Sequence, residues 1–134
     1  MQIRIHKRVP EDMAVMVDWQ QLEPLWLRAN FAPLDKSKLT DAYLERWFNR
    51  NTSPWSFILG EIRFQENKHG QWEIYFSNGR HRTNLLFKYQ KLIPICIGDE
   101  VPEDNAIQTA LVRPLNEGDI ILDMPDLPIC SAFK

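Results

Sequence analysis

The chain has 134 residues, of which 44% are apolar and 25% charged, so it is long enough for one domain with a core and is not wholly disordered. Its 16 basic and 18 acidic residues give a net charge of −2, which excludes a global basic excess for binding nucleic acid. Its two cysteines, Cys96 and Cys130, are too few for a disulfide scaffold or a zinc module.

Strand and helix patterns alternate in the first half of the chain. They predict an edge strand over 2–9, a strand over 14–17, a helix over 18–29, a loop over 29–37 and a helix over 40–48. Pro10 ends the first strand, and Pro24 keeps the first helix short or kinked, because proline lacks a backbone donor. Asp18 and Thr40 are suited to cap the two helices, since their side-chain oxygens can accept hydrogen bonds from first-turn amides.

The second half begins with a hairpin pattern. The predicted elements are a strand over 57–64, a turn over 67–70, a strand over 72–76, a turn over 77–79, a helix over 80–91, a strand over 92–97, a helix from Pro102 through Leu111 and a strand over 119–122. The proline-rich tail that follows is predicted to be extended. This order predicts a single α+β or α/β domain with a small mixed sheet flanked by helices.

Cationic side chains cluster at the turn that leads into the helix over 80–91, in the run Ser77-Asn78-Gly79-Arg80-His81-Arg82-Thr83. Gly79 permits a positive φ, and a helix start presents free amide groups and the positive end of the helix dipole. Cations destabilise that end of a helix, a conflict that a bound phosphate or carboxylate would resolve. The alternative is that the two arginines pair with the chain's own carboxylates and that His81 holds the turn.

The phrase Asn78-Gly79-Arg80-His81-Arg82 resembles the strand-turn-helix signature of the ParB/sulfiredoxin superfamily. The flanking segments 15–22 and 91–97 resemble the first strand and helix of that fold and its proline-containing strand. Within the superfamily, the chain looks most like the plasmid fertility inhibition factors of the FipA and Osa type. The implied organisation is one ParB/sulfiredoxin-like domain over 1–134, with the signature region at 13–98 and a C-terminal extension over 99–134.

The resemblance implies a function, a partner and a site. Factors of this family block the transfer of a rival conjugative plasmid through its coupling ATPase, so a coupling protein is the implied partner. A nucleoside triphosphate is the one cofactor that the resemblance suggests. The implied anion- or nucleotide-binding residues are Asn78, Gly79, Arg80, His81, Arg82 and Thr83, with Arg28 as a further cation facing the pocket. A solvated surface arginine is the alternative for Arg28.

Departures from the superfamily pattern bear on enzyme activity. Arg80 occupies the position of the sulfiredoxin catalytic cysteine and of the ParB glutamate, so thiol chemistry is not expected and no catalytic residue is assigned. The alternative function is a nucleotide-binding, nucleotide-hydrolysing or nuclease member, which would use Glu61 or Glu73 for a metal. Both glutamates also fit the solvent face of an alternating hairpin. A bare nucleic-acid binder using Arg80 and Arg82 is a third reading, which the charge balance opposes.

Targeting signals are not visible in the sequence. The N-terminus lacks an apolar run of signal-peptide length, and no stretch approaches the roughly 20 apolar residues that span a bilayer. The sequence therefore predicts a cytoplasmic protein without membrane insertion.

Overall fold

The computed structural model describes residues 2–29 and 33–121, and the α+β prediction is confirmed. The strands are β1 Ile3–His6, β2 Met13–Asp18, β3 Phe48–Asn49, β4 Trp55–Ile58, β5 Glu61–Glu66, β6 Trp72–Asn78, β7 Leu92–Ile97, β8 Leu111–Leu115 and β9 Ile120–Ile121. The helices are α1 Trp19–Ala29, a 3-10 turn at Lys36–Lys38, α2 Asp41–Glu45, α3 Arg80–Tyr89 and α4 Asn105–Ala110. Within these residues no helix has the length and apolar character needed to cross a membrane.

The strands form two mixed sheets instead of the one small sheet predicted. The larger sheet has the order β6-β5-β7-β2-β8, in which β5 and β7 are parallel and the other pairs are antiparallel. The smaller sheet has the order β3-β4-β1-β9, in which β1 and β4 are parallel. The prediction of an edge strand over 2–9 is wrong, because β4 and β9 arrive from distant segments and pair with both sides of β1.

The strand predicted over 57–64 is two strands that belong to different sheets. The Leu59 amide donates to His6 O at 3.0 Å in the smaller sheet, whereas the Cys96 amide donates to Gly60 O at 2.8 Å in the larger one. The chain therefore changes sheets at residues 59–60, which we call the sheet crossing. The β5–β6 hairpin is confirmed, with its turn over 67–70.

Helix α1 has nearly the predicted bounds but is not cut short at Pro24, whereas α2 is shorter than predicted. Helix α1 continues through Pro24 and packs against β6 and α4. Thr40 Oγ1 accepts the Tyr43 amide at 3.1 Å, as expected of an N-cap. Helix α2 nevertheless has five residues, because Phe48 leaves the helical path to pair with Phe57 across β3 and β4.

The helix predicted from Pro102 begins later and ends earlier than expected. Asp104 caps α4 by accepting the Ile107 amide at 3.0 Å, so the helix begins after this residue. Leu111 was predicted to be helical, but it lies in β8 opposite Val17 of β2. The last predicted strand is present as β9. The predicted extended tail and Cys130 lie outside the described residues.

A buried apolar core joins the sheets to the helices. The Trp19 ring is fully buried, and its centroid lies 5.5 Å from that of Phe76 and 6.3 Å from that of Trp26. Cys96 is buried in β7, and burial raises the pKa of its thiol to about 12, so it is unreactive at neutral pH. Helix α3 contributes the buried side chains Leu85 and Leu86, which positions the turn between β6 and α3.

Candidate functional site at the start of helix α3

The turn between β6 and α3 has a left-handed glycine at the helix start. Gly79 has φ 85° and ψ 27°, and it is the N-cap residue of α3. The Thr83 amide donates to Gly79 O at 3.1 Å and closes the first helical turn. Within residues 2–29 and 33–121 no side-chain hydrogen bond caps this turn.

Two glycines allow the sheet crossing and the helix start to approach each other closely. A Cβ atom on Gly79 would lie 2.6 Å from Arg82 Cζ and 2.7 Å from Gly60 Cα. A Cβ atom on Gly60 would collide with Thr83 Oγ1 and would lie 3.1 Å from Gly79 O. Thr83 is fully buried in this junction, so its hydroxyl does not face an open surface.

Arg82 points into the junction and is 1% exposed. Its guanidinium donates to Ile58 O through Nε and to Leu59 O through Nη2, both at 2.9 Å, and it also donates to Asn78 Oδ1. The guanidinium carbon lies 4.1 Å from the centroid of the Trp47 ring, a cation–π contact. Burial lowers the pKa of Arg82 to about 10, so the group stays charged at neutral pH. Arg82 therefore binds carbonyl groups of the sheet crossing.

His81 is buried and anchors the loop before the 3-10 turn. Its Nε2 accepts the Asp35 amide at 2.8 Å, and its ring packs edge-on against Tyr43 with centroids 5.8 Å apart. Burial, reinforced by the positive charges of Arg80 and Lys38, lowers the pKa of the imidazole. His81 is therefore neutral at neutral pH and serves as a hydrogen-bond acceptor.

Arg80 and Arg28 lie nearer the surface but in different places. Arg80 is half-buried and donates from Nε to Pro33 O at 3.1 Å. Arg28 is exposed and donates from Nη1 to Trp72 O at 2.9 Å, at the far end of β6 from Gly79. A strand rise of about 3.3 Å per residue separates the two ends of β6 by roughly 20 Å. The structure leaves Arg28 apart and brings together Asn78, Gly79, Arg80, His81, Arg82 and Thr83.

A buried pair of carboxyl groups lies beside this junction, and the sequence analysis missed it. Asp12 is 8% exposed and Glu61 2% exposed. Among the described residues no N–H or O–H donor reaches Asp12 Oδ2 or Glu61 Oε2, so a proton on one carboxyl group is the donor that can link the pair. Ser77 Oγ donates to Glu61 Oε1, and Arg63 Nε lies 3.5 Å from the same oxygen. The solvent-facing alternative for Glu61 and Glu73 is wrong, because the packing of the larger sheet buries both.

Below about pH 6 the carboxyl pair holds one proton. Burial and the hydrogen bond with Glu61 raise the pKa of Asp12 to about 6. Burial also opposes the ionisation of Glu61, but hydrogen bonds from Asp12 and Ser77 outweigh it and lower the pKa of that carboxyl. Asp12 is therefore the donor and Glu61 the acceptor. In the described part of the chain, no group of three or more His, Cys, Asp or Glu side chains is placed to hold a metal ion.

The carboxyl pair predicts a pH-dependent stability. Asp12 holds its proton more tightly in the folded state than its ordinary value of 3.8, so stability falls as pH rises through about 6. In Asp12→Asn a permanent amide donor replaces that proton. Relative to wild type, the variant should gain about 1 kcal/mol between about pH 5 and about pH 8.

Urea unfolding of both proteins across this pH range measures the effect. Both proteins keep His81, whose own titration therefore cancels in the comparison. Parallel stability curves for wild type and variant would show that Asp12 does not retain a proton in the fold.

Comparisons with known proteins identify a shared fold. The chain matches no protein-family model and no curated protein. Among solved structures, it matches the crystal structure of the Oncogenic Suppression Activity Protein, a plasmid fertility inhibition factor, determined as a gold(I) cyanide derivative. The TM-score is 0.58 and the sequence identity 17%, and the match covers 82% of this chain. It covers 63% of that chain, so this chain spans less than two thirds of that protein's length. The chain therefore has the fold of a solved fertility inhibition factor, as the sequence resemblance implies.

Proposed function

We propose that the protein is a plasmid fertility inhibition factor, which lowers the transfer of another conjugative plasmid. The observation that carries this proposal is the fold match to a solved factor, at a TM-score of 0.58 over 82% of this chain. The run Asn78-Gly79-Arg80-His81-Arg82 supports it independently, since it resembles the signature of that family. The proposed place of action is the cytoplasm.

The proposed mechanism is binding to a protein, with the coupling ATPase of the rival plasmid as the partner. Groups that would perform chemistry in related enzymes have structural roles in this chain. Arg82 binds carbonyl groups of the sheet crossing, and His81 holds the Asp35 amide. The buried Cys96 has a pKa raised to about 12. These side chains are engaged within the fold. A protein of this kind can act by binding to a partner's surface without turning over a substrate.

A mating assay tests this function. Donor cells carrying a conjugative plasmid and expressing this chain should transfer the plasmid less often than donors with an empty vector. Arg28→Ala, which alters an exposed residue far from the turn, should inhibit as wild type does. Arg82→Ala should inhibit less than wild type, because its lower stability reduces the amount of folded protein. Unchanged transfer in the presence of abundant, soluble wild-type protein would contradict the proposal, and binding to the purified coupling ATPase tests the partner.

Nucleotide binding is a second candidate function for the same turn. The observation that favours it is the uncapped first turn of α3, with Arg80 at its rim. Free amide groups at a helix start and a nearby guanidinium can hold a phosphate group. We propose binding and not hydrolysis, because Ser77 Oγ donates to Glu61 Oε1 and Arg63 Nε lies 3.5 Å from the same oxygen, so this carboxylate already has partners.

Thermal unfolding with ATP and with CTP tests nucleotide binding. Each nucleotide that binds the folded state should raise the Tm in a concentration-dependent manner. Arg80→Gln should reduce that rise, whereas Arg113→Gln, at an exposed position of β8, should preserve it. An unchanged Tm of the wild-type protein with both nucleotides at millimolar concentration would exclude this candidate.

A further inference from the structure

Three cations surround Tyr43 and the first turn of α3, and we call Lys38, Arg46 and Arg80 the basic patch. Lys38 Nζ lies 6.0 Å from the centroid of the Tyr43 ring, and Arg46 Cζ lies 5.8 Å from it. Arg80 precedes His81, whose ring contacts the same tyrosine. Three separate elements, the 3-10 turn, the end of α2 and the start of α3, therefore bring positive charge to one area of the surface.

Within residues 2–29 and 33–121 the cations of the basic patch have no carboxylate within salt-bridge distance. Lys38 and Arg46 are exposed. The acids of the same segments have other partners as well, although hydrogen bonds from Ser37 and, to a smaller extent, the charge of Lys38 lower the pKa of Asp35. Asp35 accepts hydrogen bonds from Ser37, and Asp41 accepts one from Tyr89. Glu45 forms an ion pair with Arg50. Three cations gathered in one area, with no ion pair to a carboxylate within the described residues, favour an acidic ligand.

The environment of Tyr43 distinguishes between two acidic ligands. Single-stranded nucleic acid binds where bases can stack on an open aromatic face. The Tyr43 ring has Lys38 and Arg46 near it and meets Trp47 and His81 edge-on, at centroid distances of 6.2 Å and 5.8 Å. The Tyr43 ring is therefore in contact with cations and other rings and is not free for a base to stack on. The cations themselves can bind carboxylates.

We propose that the basic patch binds an acidic segment of a protein partner through contacts between its cations and the partner's carboxylates. This inference names the chemistry of the partner in the proposed inhibition of plasmid transfer, and in that respect it rests on the proposed function. The patch includes side chains that the family signature does not contain, namely Lys38 and Arg46.

Fluorescence anisotropy with labelled poly-L-glutamate tests the patch on the full chain. The double variant Lys38→Glu with Arg46→Glu should weaken binding at low salt by about tenfold or more, since two attractive charges become repulsive. The matched control is Lys68→Glu with Arg113→Glu, which makes the same change of net charge at exposed positions outside the patch. This control should bind within about twofold of wild type at the same ionic strength.

Each outcome separates the patch from the function. Equal weakening in both double variants would overturn the proposal, because it would indicate a diffuse charge effect. Tighter binding of a labelled dT oligonucleotide, lost in the patch variant, would also overturn it and indicate a nucleic-acid surface. Patch-dependent binding of poly-L-glutamate without any inhibition of transfer by wild type would support the patch and contradict the function. Inhibition of transfer without poly-L-glutamate binding would support the proposed function and overturn the role of the patch.

Discussion

Replacing Arg82 with alanine is expected to lower the free energy of unfolding by about 3–5 kcal/mol, a large part of the stability of a domain of this size. The substitution removes the guanidinium donors to Ile58 O and Leu59 O at the sheet crossing. It also removes the cation that lies 4.1 Å from the Trp47 ring and the hydrogen bond to Asn78.

Urea unfolding followed by tryptophan fluorescence measures this loss, because Trp47 lies against Arg82. The matched control is Arg80→Ala, two positions earlier in the same helical turn, which removes one hydrogen bond near the surface. That control should cost no more than about 1 kcal/mol. Arg82→Lys keeps the charge but loses the planar fork, so it should still cost about 2 kcal/mol. Equal losses in the two alanine variants would contradict the inward placement of Arg82.

The turn at Gly79 was predictable from the sequence because its chemistry is local. An aromatic strand, a glycine that permits positive φ and a helical apolar pattern follow one another within a few residues. The same local information predicted the cap of α2 at Thr40 and the hairpin turn over 67–70. Such features depend on the conformation of consecutive residues, which their side chains largely determine.

The direction of each cation at the turn was not predictable from the same signals. The sequence places two arginines and a histidine at a helix start, where their charge conflicts with the dipole. In the structure the acceptors for Arg82 are main-chain carbonyls that lie more than 20 residues earlier in the chain. Neutral His81 accepts a backbone amide, which removes one of the expected charges. The internal contacts thus resolve much of the conflict that had suggested an anion.

Pairing between distant segments explains the other errors. The pattern over 57–64 is a continuous strand signal, yet Gly60 allows a change of sheet within it, because a side chain there would collide with Thr83. The carboxyl pair was missed for a related reason: Asp12 lies in a turn near the N-terminus, and Glu61 begins a strand far along the chain. Neither the residue types nor their spacing in the sequence predicts that Asp12 and Glu61 lie in contact.

Replacing Gly79 with valine is expected to cost about 3–5 kcal/mol, the second large effect in this region. A β-branched residue at φ 85° is strained by about 1–3 kcal/mol. The added side chain also enters the space between Arg82 and Gly60, and overpacking costs about 1–3 kcal/mol more. Gly70→Val is the matched control, since Gly70 has φ 73° and open space where a Cβ would stand. That control should show the strain alone, and a Gly79→Val protein no less stable than Gly70→Val would contradict the close approach.

A double-mutant cycle tests the contact between position 60 of the sheet crossing and Thr83 of helix α3. Gly60→Ala should destabilise the protein because its Cβ would collide with Thr83 Oγ1. Thr83→Ala removes that oxygen, so the double variant should be more stable than the sum of the two single effects predicts, by about 1–2 kcal/mol. Unfolding by urea at one pH gives all four values. Strict additivity would mean that the sheet crossing and the start of α3 are not in contact, and the structural role assigned to Arg82 would lose its basis as well.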